Sequence, residues 1–302
     1  MVLLACKPMN PIVLVGLIVM AIHFLQAGKK RATLPGAEAS MTTTIEFITT
    51  LFCQVDDQLA GLPKQPEARL WPSEVVTLGL LHALKGGVNR AFYRWLTRDY
   101  RPLFPQLPGR TRLFRLFRTH QDWTRVILAA PTVLGVIDTY GIELMHPMRE
   151  GRSPQQIGRQ GLSNHRWMVG GTSCLLLNPY SLVVAWGCAA ANIADNTFQG
   201  LMRPFEECMI VLSETGFHAA EGDPTNLKRC PRGEWEDRML VETVLAMLTL
   251  VCHCKKVMHR VWASFQARLA FTMAAFTVLV QWHGLQPNAS GFVPLSIAEL
   301  SL

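Results

Sequence analysis

The sequence predicts a mixed α+β (α/β) chain, in which a basic, all-helical N-terminal domain precedes a domain of strands and helices. Three observations predict this. Residues 42–128 repeat apolar positions at helical spacing between Pro- and Gly-rich turns. From Pro131 onward, short β-branched runs replace that pattern. The positive charge is confined to the first of these regions. The expected boundaries are a helical domain over 41–130, a strand-and-helix domain over 131–285 and a tail over 286–302, with 1–40 outside the fold.

Residues 1–40 contain a solid apolar run, PIVLVGLIVMAI (11–22), that ends at Lys29, Lys30 and Arg31. It is shorter than the roughly 20 residues that cross a bilayer comfortably, and no small-residue cleavage site follows it. Three readings compete: a short membrane anchor, an uncleaved signal-like segment, or an extension ahead of the start of the domain. Met41 favours the last, because MTTTIEFITTLF opens with a Thr cap before an amphipathic run.

Helices are expected over 42–60, 73–86, 89–99 and 110–128. Between Lys85 and Arg125 stand ten basic residues and only two acids, Asp99 and Asp122, so this stretch carries +8 and the rest of the chain −1. Arg90, Arg94 and Arg98 recur every four residues. Arg110, Arg112, Arg115 and Arg118 follow in RTRLFRLFR, the last three at a spacing of three with apolar residues between them. On helices these spacings make cationic stripes opposite apolar ones. Such stripes suit a phosphate backbone; a basic helix lying on a membrane surface is the alternative.

Strands are expected over 133–137, 167–177, 182–186 and 209–212, with a hairpin turn at 178–181. The polar, Gly-rich stretch 149–166 reads as a ligand-facing loop with Arg159, His165 and Arg166 toward phosphate. Residues 195–207, 236–254 and 261–281 read as helices. Asp138 is expected at the end of the first strand and Glu214 just after the fourth, where α/β sheets present ligands. Glu242 lies in the apolar helix RMLVETVLAMLTLV, where a carboxylate needs a cation or partner. Arg238, four residues earlier, is one such partner. Carboxylates that converge repel unless a divalent cation lies between them. Asp195 reads either as a support for that site or as a helix cap, and Asp223 as a turn residue. Cys252, His253 and Cys254 with His259 suggest zinc, but cysteines two apart on a helix diverge, which favours core or surface positions.

Composition excludes other classes. The chain has 302 residues, 49% of them apolar and 17% charged, with net charge +7. Mean hydropathy is +0.19 and the pI about 9.1. Such a chain is neither disordered nor fibrous. Its eight cysteines form no CxxC pair, so no zinc ribbon or thioredoxin-type motif is present, and scattered cysteines of this kind are reduced core thiols.

GVIDT (135–139), IGRQGLSNHRW (157–167), NIADN (192–196), LSETGFH (212–218) and RGEWEDRMLVETV (232–244) together resemble the catalytic domain of insertion-sequence DDE transposases. FCQVDDQL (52–59) and the basic helices resemble their N-terminal domain. The spacing of Trp235, Arg238 and Glu242 resembles the Tyr-Arg-Glu-Lys signature of one branch. The resemblance, over roughly 42–284, implies an RNase H-like domain. Asp138, Glu214 and Glu242 would hold two Mg²⁺ (or Mn²⁺) ions there, supported by Trp235, Arg238 and Asp195. It implies binding and cutting of double-stranded DNA at element ends, strand transfer into a target, a homo-oligomer on DNA, a cytoplasmic, nucleoid-associated location and no stable membrane partner. Lys255 and Lys256 would join the DNA contacts. Two positions depart from the family. Glu214 stands where Asp is usual, a displacement of about 1.5 Å, and Thr249 stands where Lys is usual. These departures leave a DNA-binding relic without catalysis as the alternative, ahead of a nuclease without strand transfer and a membrane-anchored basic protein.

Overall fold

The computed structural model describes residues 44–152, 156–163, 166–220, 222–230, 238–254, 257 and 259–282. Four helices open it: α1 (Thr44–Gln58), α2 (Pro72–Lys85), α3 (Asn89–Asp99) and α4 (Arg110–Thr119). The expected single helix over 110–128 stops at Thr119, and a 3₁₀ segment, Gln121–Ile127, follows it. α2 starts sharply because Pro72 needs no N–H partner and Glu74 accepts the Trp71 N–H at 2.7 Å. It ends at Gly86, whose φ of 70° favours glycine and whose missing Cβ leaves room for the His253 ring.

A six-stranded sheet follows: β1 (Leu134–Met145), β2 (Arg159–Ser163), β3 (Arg166–Leu177), β4 (Val183–Ala190), β5 (Ile210–Ser213) and β6 (Leu227–Arg229). β1 pairs antiparallel with β3 on one side and parallel with β5 on the other, and β6 extends the parallel half. β2 and β4 share the far edge of β3, β2 along its first residues and β4 along the rest. Three expectations change here. β1 continues seven residues beyond Asp138, because pairing with β3 carries it to Met145. Part of the expected loop 149–166 is strand β2, whose Gly161 lets the Ala191 backbone approach. The expected helix 195–207 is two 3₁₀ segments, Asp195–Leu201 and Arg203–Phe205, broken where Pro204 cannot donate.

Two long helices complete the chain, α5 (Arg238–Leu250) and α6 (Trp262–Trp282). α5 ends before Cys252, so Cys252 and Cys254 are not helical; both are buried core thiols. α6 is apolar on every side and buried on every side. Phe271, Ala274 and Val278 fill the core of the N-terminal helices, while Phe265, Leu269 and Phe276 fill the core against the sheet. Among the described residues α6 alone is long and apolar enough to cross a membrane, and it lies mostly inside the protein. The opposite sheet face packs Ile137, Cys174, Val211 and Phe217 against the 3₁₀ segments.

Candidate functional site

Strand alternation assigns the acids to faces. Val136 belongs to the core under α5, and the Tyr140 and Thr249 hydroxyls share a hydrogen bond at 3.0 Å between β1 and α5. Asp138, midway between them, is on the same face. In β5, Leu212 belongs to that core and Val211 to the opposite one, so alternation puts Glu214 on the α5 face as well. β1 and β5 pair in parallel with Val136 opposite Leu212. The pairing ends there; Asp138 lies two residues farther along β1 and Glu214 just past the end of β5. Both are half-buried.

α5 carries the third acid. Thr249 meets Tyr140, and the Val257 N–H donates to the Glu143 carbonyl farther along β1, so the chain from α5 onward advances in the same direction as β1. Glu242 is seven residues before Thr249, on the same helix face and about 10.5 Å back along the axis. Glu242 is exposed. Thr249 anchors α5 to the sheet. Among the described residues, which include Asp138, Glu214 and Glu242, no three His, Cys, Asp or Glu side chains group so that they could hold a metal ion.

Asp195 caps nothing. The cap position of its segment is Ala194, which makes no side-chain cap. Its carboxylate instead accepts the Thr139 hydroxyl at 2.9 Å and approaches Gly216, where an added Cβ would stand 3.0 Å from it. It thus ties β1, one residue past Asp138, to the turn just after Glu214. Burial, then the charges of Asp138 and Asp195, push the Cys174 thiol well above its usual range, so this cysteine is an inert neighbour. Asp223 does more than turn the chain. It accepts from the Ala219 N–H at 2.8 Å and from Gln199 at 2.9 Å, and its other oxygen meets His218 Nδ1 at 2.5 Å. The Ala219 N–H first and His218 next hold its carboxyl below the usual range. Gln199 also donates to the Phe217 carbonyl at 2.8 Å. This brace fixes the loop that presents Glu214.

The basic residues separate into paired and unpaired sets. Asp99 takes Arg98 in a two-pronged contact of 2.6 and 2.7 Å, and Asp122 takes Arg125 at 3.0 Å. Among the described residues Arg90, Arg94, Arg110, Arg112, Arg115 and Arg118 make no ion pair. α3 and α4 bury Phe92, Leu96, Leu113 and Phe117, which turns these arginines outward. Arg90 and Arg94 on α3 share a concavity with Arg110 and Arg112 on α4, so the two stripes form one face. Arg159 is exposed on β2. Trp235, His165, Lys255 and Lys256 lie outside the described residues; of Arg166 and Arg238 only the backbone, in β3 and α5, is described.

No protein-family model, curated protein or solved structure matches this chain.

One charged cluster escaped the sequence reading. Arg268 on α6 is buried and donates to the carbonyls of His82, of Ala83 at 3.0 Å and of Cys252 at 3.2 Å. Its only signal in the sequence is a lone cation inside WASFQARLAFTMAAF. Burial and the Arg268 charge lower the pKa of His82 well below its usual value and that of His259 to about 4.

Proposed function

We propose that the chain is a DDE-type DNA transposase with an RNase H-like catalytic domain, which binds element ends and cuts and joins DNA strands. The observation that supports this reading is the parallel pairing of β1 and β5, with Val136 opposite Leu212 two residues before Asp138 and Glu214, beside α5, which meets β1 at Tyr140 and bears Glu242. The basic face of α3 and α4 supports DNA as the substrate.

The chemistry of the three carboxylates suits Mg²⁺ or Mn²⁺, while among the described residues no three such side chains group to hold an ion. Carboxylate oxygens are the hard donors these ions take, and Mg²⁺ is usually held by one or two carboxylates with waters and substrate phosphate rather than by a closed protein cage. Asp138 and Glu214 would hold the ions from the strands and Glu242 from the helix. Bound there, two ions would supply activation of the attacking oxygen and stabilisation of the leaving one. The residues of the chain do the rest. Asp195 and the Asp223 brace fix the two strand acids, and the arginine face holds the phosphate backbone in register.

The test is Mg²⁺- or Mn²⁺-dependent cutting of terminal-repeat DNA by a protein starting at Met41, beside Asp138→Asn and Glu214→Asp. The expected result is cutting by the wild type and none by Asp138→Asn. Cutting by Glu214→Asp alone identifies a scaffold disabled at one carboxylate. Intact DNA binding with no cutting by any form overturns the catalytic reading.

A further inference from the structure

A cavity of about 730 Å³ opens between the N-terminal helices and the start of α6. Arg90 and Arg110 stand at its exposed rim and Arg118 is half-buried behind them. His82 and Arg268 form its floor, 6% and 5% exposed, with His259 also in the wall. Among the described residues no Asp or Glu lines it. Four guanidinium groups thus converge without a carboxylate, whereas buried cations are normally paired.

Arg268 can only donate, so in its Nη1 contact with His82 Nδ1 at 3.3 Å that nitrogen is the acceptor. The His82 ring also meets the Gly87 backbone and the Asn89 side chain. Guanidinium groups that converge on an acid-free cavity call for an anion with several acceptor oxygens. The volume lies within the range of small-molecule sites. A duplex backbone would reach only the rim, whereas a strand end can reach the floor.

We propose that this cavity binds a terminal phosphate, the phosphomonoester at the 5′ end of a DNA strand. A free mononucleotide presents the same chemistry. The proposal rests on the reading of the chain as a DNA-processing protein. Arg118 and Arg110 grip the phosphate oxygens from the rim, and the charge of the buried Arg268 adds to the attraction from below.

The test compares oligonucleotides of one sequence with a 5′-phosphate or a 5′-hydroxyl, bound to the Met41-started chain in buffer without divalent metal. Thermal shifts with inorganic phosphate and with thymidine 5′-monophosphate run beside it. The expected result is binding about tenfold tighter for the phosphorylated strand, as one charge-assisted hydrogen bond provides. Arg118→Gln and, independently, Arg110→Gln remove that preference. Arg115→Gln, outside the cavity, weakens both strands equally. Equal binding of the two strands, with no thermal shift from either phosphate, overturns the cavity as a phosphate site and leaves the DNA reading standing. Stabilisation by inorganic phosphate that Arg118→Gln abolishes, with neither strand bound, upholds the phosphate site and overturns the DNA reading.

Discussion

Arg268 joins three parts of the chain through one guanidinium: the last turn of α2, the segment after α5, and its own helix. Removing it leaves buried carbonyls unmet, so Arg268→Met is expected to cost about 3–5 kcal/mol in denaturant unfolding; a loss under 1 kcal/mol would show that water replaces it. The histidines beside it give a pH signature. His82 and His259 are held neutral, with folded pKa values below the unfolded value of about 6.5. As pH falls below 6.5 the unfolded chain takes up protons that the folded chain refuses, so their contribution is full above 6.5 and declines toward pH 4. His259→Gln is expected to flatten the fall of melting temperature between pH 6.5 and 4.5; an unchanged slope would mean His259 titrates freely in the fold. Both residues looked ordinary in the sequence. A lone arginine in an apolar helix and a histidine 186 positions earlier carry no joint signal until the fold brings them together.

Between helices, α2 and α6 approach closely where Gly79 lies against the Phe271 ring and a Cβ would overlap it. Alanine gains up to about 1 kcal/mol of helix propensity, but overpacking a fixed ring costs about 1–3 kcal/mol. Gly79→Ala is therefore expected to destabilise, and Phe271→Leu to recover part of that loss in a double-mutant cycle. Strictly additive effects would show that the helices do not meet there. The helices were the most legible elements, because α2, α3 and α6 carry their periodicity or apolar runs within themselves. The strands were less so. β2 is polar and Gly-rich, and only its pairing with β3 makes it a strand. β6, three residues long, depends wholly on β5. Asp138 and Glu214 were visible as strand-end acids, but their shared face follows from register. The roles of Asp195 and Thr249 depend on Thr139 and Tyr140, which the sequence left unmarked.

At the scale of the molecule, the charge excess of 85–125 becomes a surface, because each helix there spends its apolar side on the core shared with α6. Neutralising Arg94 or Arg112 is expected to lower the slope of log affinity against log salt by about 0.9 per residue on duplex DNA. A lower affinity at unchanged slope would place these residues away from phosphate. The arginine face and the sheet that carries Asp138 are joined through α6, which fills both cores, so the proposed binding and cutting would share a frame. On the proposed reading Asp138, Glu214 and Glu242, far apart in sequence, serve one metal site. Fe²⁺ placed in that site with ascorbate and peroxide would generate radicals that cut the polypeptide beside it. The expected result is backbone cleavage near residues 138, 214 and 242 together, suppressed by excess Mg²⁺ and lost in Asp138→Asn. Cleavage confined to other segments, or unaffected by Mg²⁺, would contradict the site.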